Sequence, residues 1–502
     1  MDVSEGREDT RSREGPGVVC NPNDSLSVLR LWNVHDNQQL LRVESFLQVH
    51  TLGRPAVFSL VLPLLVELSL GLMVGMVGTA LSASISDTAG GGFALANHVF
   101  GLLFMVFRLV GAGVSVVISQ NLGAGHRDEA DRLARAALAW GTWMGGLVAL
   151  AAWLGAGPLM RLLNAPDEVL NLAKPLLEAL ALALLLDAWN ACMASVMRAH
   201  LRNRDTLLVM VMMHLSHVLL AWPLMMGWGD WPAMGLTGFA VALVISRLVG
   251  MGLHLWFWRA RLGLRPVLAD WWRVRKDQLW PVLHIGLPGA AENMAWELAF
   301  MCSVAAVGVM GAQALATQAY VLQFNMWILI SGAAIGITVE MVVGHMVGAR
   351  QLRQAHDLVR RAQKVGFGIT LLVACAMAWG APWLLRWFTQ DPQIIKEGVQ
   401  LLWLSIFLET GRTFNLIVIA ALRATGDSRY PFYAGVGSMA LVLAGGSWLL
   451  GVHWGLGLPG VWMAYAADEW IRGMLMWRRW VRLGWLPHAQ ATHVRMRQQG
   501  SR

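Results

Sequence analysis

The stretch LPLLVELSL (62–70) is almost entirely apolar but carries Glu67 in its middle. The stretch LPGAAENMA (287–295) repeats the Leu-Pro-x-x-x-Glu pattern, and its Glu292 follows Glu67 at an offset of 225 in the numbering. A carboxylate in an apolar helix is costly in lipid unless it faces other protein groups or a water-filled cavity. The repeated stretch therefore predicts an embedded carboxylate in each of two related halves of the chain.

The composition indicates an integral membrane protein. Of 502 residues, 56% are apolar and 14% are charged, and the mean hydropathy is +0.51. A soluble domain carries about 25% charged residues. The four cysteines have no paired spacing, which argues against a disulfide framework and against a zinc site.

Twelve apolar windows are long enough to cross a bilayer, which takes about 20 helical residues. Strand-like alternation of apolar and polar residues is missing, so we predict an all-α membrane protein and not a barrel. The predicted windows are 56–81, 91–118, 136–158, 171–197, 206–228, 235–258, 281–308, 313–343, 365–387, 397–422, 432–452 and 457–477.

Basic residues predict the orientation. They concentrate in the connections between predicted helices 2–3, 4–5, 6–7, 8–9 and 10–11, and the other connections hold almost none. The positive-inside rule then places these loops and both termini in the cytoplasm, in a bacterial inner membrane. The net charge of +8 is explained by these loops, so nucleic acid is not an expected partner.

The offset of 225 recurs along the chain. Gly123 matches Gly348, Asn190 matches Asn415, and Arg198 matches Arg423. A duplicated six-helix unit explains this, and because six is even both lobes insert with the same orientation. The predicted segments are a polar, disordered leader without a cleavable signal peptide (1–50), an amino-terminal lobe (51–258), a cytoplasmic linker (259–280), a carboxy-terminal lobe (281–480) and a basic cytoplasmic tail (481–502).

Motifs exclude several function classes. The chain has no His-Glu-x-x-His, no Gly-x-Ser-x-Gly and no Walker loop, so neither an enzyme nor a nucleotide-driven pump is expected. We expect no cofactor and no metal site. A passive channel or scaffold gains little from embedded carboxylates, which favours a transporter driven by an ion gradient or by the substrate itself.

Five blocks carry a resemblance to the MATE family, the multidrug and toxic compound extrusion transporters. Their order and spacing across twelve helices make the match specific over about residues 54–480. The blocks are ISQNLGAGHRDEADRLA (118–134), IGLPGAAEN (285–293), MVGARQLRQAHDLVRRA (346–362), LETGRTFNLIVIAALRATGDSRYP (408–431) and GLPGVWMAYAADEWIR (457–472).

The resemblance implies two six-helix lobes that form a V-shaped cavity. It also implies export of organic compounds, often cationic and aromatic, in exchange for H⁺ or Na⁺. One position departs from the family: many members read Val-Asp-Thr in helix 1, whereas this chain has Gly78 before Thr79. Either Glu67 and Asp187 replace that aspartate, or coupling has moved to the carboxy-terminal lobe.

Four carboxylates are the candidates for cation coupling: Glu292, Glu67, Glu409 and Asp187. Burial disfavours the charged form of a carboxyl, so such a group can take up and release a proton. The alternative is a permanently protonated carboxyl that bonds a neighbouring helix as packing. Proline four residues before Glu67 and before Glu292 removes an amide donor and predicts a bending point.

Other polar residues are candidates for the substrate cavity. Glu409 and Arg412 are three residues apart on one helix face and are expected to pair. A lone arginine in helix 2, Arg108, needs water or a carboxylate partner, and Glu67 or Asp187 could be that carboxylate. Arg198 and Arg423 end predicted helices 4 and 10, where they suit phospholipid headgroups. The cavity candidates are Asn190, Asn415, Arg412, Arg108 and Glu297.

The sequence thus predicts a secondary antiporter for organic, cationic or aromatic compounds. We expect H⁺ in preference to Na⁺ as the coupling ion, because a sodium site needs several convergent oxygens whereas a proton needs one basic group. The expected partners are a small-molecule substrate, the coupling ion and the lipid bilayer, and we expect a monomer. The alternative is a related exporter or flippase for a dedicated metabolite or a lipid-linked substrate.

Overall fold

The computed structural model describes residues 54–162, 166–229, 232–272 and 276–500. The predicted leader (1–50) lies outside these residues. Twelve helical spans in the described part of the chain correspond to the twelve predicted windows. They are α1 Arg54–Ile85, α2 Asp87–Gly123, α3 Arg127–Leu162, α4 Asp167–Ala199, α5 Asn203–Met226, α6 Leu236–Phe257, α7 Lys276–Val309, α8 Ala312–Gly348, α9 Leu352–Leu385, α10 Pro392–Ala424, α11 Arg429–Ser438 and α12 Gly457–Val481. The eleventh span is made of α11 together with the π-helical segments that follow it.

Three π-helical segments extend two of these helices. Trp258–Leu262 continues α6, while Met439–Ala444 and Ser447–His453 continue α11. The chain leaves the first of them at Gly263, whose φ of 73° is accessible to glycine without strain.

Ten helices in the described part are long and apolar enough to span a membrane by length and composition. The other two, α7 and α12, contain ionisable side chains at intramembrane positions, among them Glu292 and Glu469. Such residues are tolerated in membranes where they pair with protein groups. The protein is therefore a helical multi-pass membrane protein.

The first helix of each lobe packs against the other lobe. Leu60 of α1 is buried in a cluster with Val339 and Val343 of α8. Its counterpart in the repeat, Ile285 of α7, is buried in a cluster with Val117 of α2. The lobes thus join through the starts of α1 and α7 and the ends of α2 and α8. We call the side of the molecule where these segments lie, next to the arginine-rich connections, the basic face.

Candidate functional site

The embedded carboxylate of α1, Glu67, forms an ion pair with an arginine of α4. Glu67 Oε1 of α1 lies 3.0 Å from Arg198 Nη1 of α4. The Glu67 side chain is only 10% exposed. A guanidinium within hydrogen-bonding distance offsets part of the cost of burying a carboxylate. The pair therefore ties α1 to the end of α4 inside the amino-terminal lobe.

The second lobe repeats this ion pair. Glu292 Oε2 of α7 lies 2.8 Å from Arg423 Nη2 of α10. In both lobes the two partners are 131 residues apart in sequence. Glu340 of α8 also interacts electrostatically with Arg423. The expectation that Arg198 and Arg423 bind phospholipid headgroups is wrong, because their guanidinium groups turn inward to these carboxylates.

Side chains from α5 and from the connection before α11 bond the backbone next to the two prolines. Asn203 Nδ2 donates to the Leu60 carbonyl at 2.9 Å. Its counterpart in the repeat, Ser428, donates from Oγ to the His284 carbonyl at 2.9 Å. Pro288, four residues after His284, has no amide hydrogen to bond that carbonyl. Ser428 therefore bonds the carbonyl that Pro288 leaves without its helical donor, and a bend at this proline stays a prediction.

The interior of the amino-terminal lobe holds one further ion pair. Asp187 Oδ1 of α4 contacts Arg247 Nε of α6. Asn190 donates from Nδ2 to the Arg247 carbonyl at 3.0 Å and accepts at Oδ1 from His254 Nδ1 at 2.9 Å. One acid and one base balance each other here, so this cluster is formally neutral.

The carboxy-terminal lobe holds a larger buried network between α10 and α12. Arg412 pairs with Glu409 at 2.8 Å and with Glu469 at 3.1 Å, which confirms the expected pairing on α10. Asn415 Nδ2 donates to Glu469 Oε2 at 2.9 Å. Arg472 pairs with Asp468 at 2.7 Å and with Glu469 at 3.0 Å. We call Glu409, Arg412, Asn415, Asp468, Glu469 and Arg472 the C-lobe network.

The C-lobe network has one carboxylate more than it has guanidinium groups. Glu409 is fully buried, and while its Oε1 accepts from Arg412, its Oε2 has no hydrogen-bond partner among the described residues. An unbonded carboxylate oxygen is costly in an apolar interior, and a proton on that oxygen removes the charge. Glu409 is thus the carboxylate of this network best placed to change its protonation state.

Aromatic rings fill the space next to Gly78, the position in α1 where many family members carry an aspartate. A Cβ added at Gly78 would lie 2.9 Å from Cε2 of Phe239 and 3.1 Å from Cζ of Phe93. These two rings meet edge to face with centroids 4.8 Å apart. The departure seen in the sequence therefore reflects packing that leaves no room for a carboxylate there.

Two predicted cavity residues stay apart from these clusters. Glu297 is half-buried on α7, and it makes no hydrogen bond or ion pair with the rest of the described chain. The side chain of Arg108 lies outside what the structure describes. The carboxylates suggested as its partners, Glu67 and Asp187, are bonded by Arg198 and Arg247.

A second buried polar cluster was not predicted. Ser303 Oγ of α7 lies 2.8 Å from Ser447 Oγ and 2.8 Å from the Tyr465 hydroxyl of α12. Gln318 of α8 donates to the same hydroxyl at 3.1 Å. Each of these residues is polar within an apolar window, but no spacing in the sequence relates them to one another. Among the described residues no group of three or more His, Cys, Asp or Glu side chains is arranged to hold a metal ion.

The two lobes are locked together on the basic face by a symmetric pair of hydrogen bonds. Gln120 Nε2 of α2 donates to the Ala424 carbonyl at the end of α10 at 2.8 Å. His345 Nε2 of α8 donates to the Ala199 carbonyl at the end of α4 at 2.7 Å. His345 is the counterpart of Gln120, and Ala424 of Ala199, at the offset of 225. The repeat relates Gln120 to His345 in the sequence, but only the structure shows which carbonyls they bond. We call each of these two hydrogen bonds a latch.

Glycines allow the backbones to meet at this place. A Cβ added at Gly123 would overlap the His345 backbone, and one added at Gly348 would overlap the Gln120 backbone. We call Gln120, Gly123, Ala199, His345, Gly348 and Ala424 the junction. The backbones of α2 and α8 are therefore in close contact at the basic face.

The carboxy-terminal segment packs on the junction. The segment predicted as a basic cytoplasmic tail (481–502) contains a helix, α13, over Leu486–Gly500. Arg495 Nη2 donates to Gln120 Oε1 at 3.2 Å. His488 lies 3.6 Å from Asp427 in the α10–α11 connection. Ala489 and Met496 are buried, and the contacts of Arg495 and His488 show that α13 touches both lobes.

Comparison with known sequences identifies relatives along almost the whole chain. The family model MatE matches residues 63–223 and 288–449. The uncharacterized transporter YisQ of Bacillus subtilis is 29% identical over 436 residues, which cover 87% of this chain and 96% of that protein. The probable multidrug resistance protein NorM of Thermotoga maritima is 25% identical over 459 residues, which cover 89% and 96%.

Solved structures share the fold. An outward-facing multidrug resistance MATE family transporter of the MOP superfamily superposes with a TM-score of 0.78 at 18% identity, over 91% of this chain and 98% of that one. A MOP superfamily transporter from Pyrococcus furiosus superposes with a TM-score of 0.79 at 18% identity, over 87% and 96%. These likenesses confirm the predicted arrangement of twelve helices in two six-helix lobes.

Proposed function

The chain belongs to the MATE family of efflux transporters, and on this premise we propose that it is a secondary antiporter that exports organic cations in exchange for H⁺. The relative from Thermotoga maritima is named a probable multidrug resistance protein. The observation that carries the proposal is the C-lobe network, in which three carboxylates face two guanidinium groups.

The excess carboxylate supplies the exchange. With all groups ionised, the network carries one net negative charge and attracts a cation. With a proton on Glu409 the network is neutral and the attraction is lost. In an interior of low dielectric constant, one unit of net charge changes the interaction energy with a bound cation strongly. A proton and a cationic substrate therefore exclude each other, which is the requirement for antiport.

The donors already present favour H⁺ over Na⁺. Glu469 accepts at both oxygens, from Arg412 and from Asn415. Asp468 likewise accepts at both oxygens, from Ser438 and from Arg472. Few carboxylate oxygens are then left to converge on a sodium ion, whereas the open Oε2 of Glu409 is enough for a proton.

The two carboxylates on α1 and α7 have a different proposed role. Glu67 and Glu292 hold the first helix of each lobe to the ends of α4 and α10 through Arg198 and Arg423. Because these helix ends also form the junction, breaking the ion pairs would free α1 and α7 to move as the lobes separate. We assign them to the conformational change and Glu409 to proton binding.

The arginine-rich connections support a placement in the membrane. We propose that the basic face is the cytoplasmic face of a bacterial inner membrane, with both termini inside. The junction then lies on the cytoplasmic side, and a cavity between the lobes would open outward. The C-lobe network and the Asp187–Arg247 cluster are each built from side chains of a single chain, which supports a monomer as the transporting unit.

The decisive experiment uses proteoliposomes containing the purified protein. Uptake of ethidium, an aromatic cation, would be followed with an imposed pH gradient and no sodium gradient, then with a sodium gradient and no pH gradient. We expect transport under the first condition. Transport driven by sodium alone would transfer the coupling to Na⁺, and transport of an anionic metabolite in place of ethidium would favour the dedicated exporter.

A further inference from the structure

A cleft of about 410 Å³ opens on the surface of the carboxy-terminal lobe, between α9, α10 and α12. Its walls are aromatic and its rim is cationic. The side chains that matter to its chemistry are Arg360, Lys364 and Phe367 of α9, Phe414 of α10, and Trp470 and Trp477 of α12. We call it the α9–α12 groove.

The aromatic wall is fixed in place. Trp470 donates from Nε1 to the Phe407 carbonyl at 2.9 Å, and its ring stacks on Phe414 with centroids 5.7 Å apart. A Cβ at Gly411 would lie 2.6 Å from the Trp470 ring, so this glycine makes the ring position possible. The groove is thus a preformed surface and not a gap between mobile side chains.

The groove crosses the boundary between the apolar and the charged part of the lobe. Lys364 is the last charged residue of α9 before the uncharged run 365–385. On α12, Trp477 directly precedes Arg478. Tryptophan and lysine at such positions mark the level of the lipid headgroups. The cationic rim therefore lies at headgroup depth and the aromatic wall extends toward the hydrocarbon.

The surface around the groove faces lipid. Leu372 is 72% exposed, Phe407 is 58% exposed and Met474 is 54% exposed. In a membrane protein, large apolar side chains exposed along the spanning helices contact acyl chains. A molecule in the groove would therefore arrive from the bilayer.

The duplicated lobe provides an internal comparison. At the offset of 225, Arg360, Lys364 and Phe367 correspond to Arg135, Ala139 and Thr142 of α3. Arg135 is engaged by Asp270 at 3.6 Å. The amino-terminal lobe thus has no counterpart of Lys364 or of Phe367 at these positions, although its fold is the same. The groove is not a requirement of the six-helix architecture, which points to a separate role.

We propose that the α9–α12 groove binds an anionic phospholipid. Arg360 and Lys364, one helical turn apart, bind the headgroup phosphate. The acyl chains lie against Phe414, Trp470 and Trp477. Paired basic residues on the surface of a spanning helix supply the charge that selects an anionic over a zwitterionic lipid.

The test measures lipid retention and does not depend on transport. The protein is purified in detergent with equal amounts of phosphatidylglycerol and phosphatidylcholine, and its lipid adducts are counted by native mass spectrometry. We expect the wild type to retain phosphatidylglycerol preferentially. The Arg360→Gln/Lys364→Gln variant should lose this preference, since both cations of the groove are gone.

The matched control is Arg353→Gln/Arg361→Gln, which removes two exposed charges from the same helix outside the groove. This variant should keep the preference. Equal loss in both double variants would mean that general surface charge holds the lipid, and would overturn the groove as a site. Equal retention of both lipids by the wild type, or displacement of phosphatidylglycerol by inorganic phosphate, would overturn it too.

Discussion

Arg423 Nη2 lies 2.8 Å from Glu292 Oε2, and Arg198 meets Glu67 in the same way in the amino-terminal lobe. Removing one partner of a buried ion pair leaves an uncompensated charge and costs about 3–5 kcal/mol. We therefore expect Glu292→Ala to lower the thermal unfolding temperature in detergent strongly.

The double variant Glu292→Ala/Arg423→Ala should recover part of that loss, because no isolated charge remains. The control is Glu297→Ala, a half-buried carboxylate on the same helix. If Glu292→Ala unfolds no earlier than Glu297→Ala, the ion pair does not stabilise α7.

A second prediction concerns Glu409. Glu409→Gln keeps the size of the side chain but fixes the neutral state, so ethidium efflux driven by a pH gradient should fall to the level of empty liposomes. Cation binding in the wild type should strengthen as pH rises, because the carboxyl loses its proton. In the variant this pH dependence should disappear.

The matched control for Glu409 is Glu397→Gln at the exposed start of the same helix, where Gln393 bonds the carboxylate. It should transport like the wild type. Normal proton-driven efflux by a well-expressed Glu409→Gln protein would shift the coupling role to Glu292 or Glu67.

The junction makes a steric prediction. Alanine in place of glycine within a helix usually stabilises by up to about 1 kcal/mol. At Gly123 the added methyl group overlaps the His345 backbone, whereas at Gly101 of the same helix it meets no atom within 4 Å. We expect Gly123→Ala to reduce efflux and to speed amide exchange at the ends of α2 and α8. Gly101→Ala should do neither, and equal behaviour of the two variants would argue against a tight junction.

The repeat also supplies its own rescue residue. His345 and Gln120 make the same bond to equivalent carbonyls, so His345→Gln should keep both stability and transport. His345→Leu leaves the Ala199 carbonyl without this donor, which costs about 1–3 kcal/mol. Thermal unfolding of the two variants side by side measures the difference, and a leucine variant as stable as the glutamine variant would show that the bond contributes nothing.

Topology can be checked by labelling. Single cysteines placed near Asp87 and Gly311 in a cysteine-free background should react with an impermeant reagent added to whole cells. Cysteines near Arg265 and Arg353 should react only after the membrane is opened. Labelling near Arg265 from outside would reverse the proposed orientation.

The periodicity of the sequence was sufficient for the fold but not for the site. Helix positions and the two-lobe repeat follow from local apolar runs and from residues at one offset, which a chain displays directly. Glu409 with Arg412 was predictable because both lie on one helix. The partners Arg198 and Arg423 lie 131 residues from their carboxylates, and only the packing of α4 and α10 against α1 and α7 determines that contact.

Neutral groups were the least predictable. The Tyr465 hydroxyl and Ser303 draw together side chains from α7, α8 and the end of α11, and no spacing in the sequence relates them. The aromatic closure at Gly78 depends on Phe239, a residue on α6. Such contacts are set by side-chain packing between distant helices, which apolar periodicity does not encode.

Both latches of the junction end on main-chain oxygen, since Gln120 and His345 donate to carbonyl groups and not to side chains. A substitution at Ala199 or Ala424 leaves those oxygens in place as long as the helix ends persist. A single codon change can therefore remove the donor side chain of a latch, but it cannot remove the main-chain acceptor. A screen for variants with a loosened junction should therefore recover few changes at Ala199 and Ala424. Most changes should fall at Gln120, His345, Gly123 and Gly348.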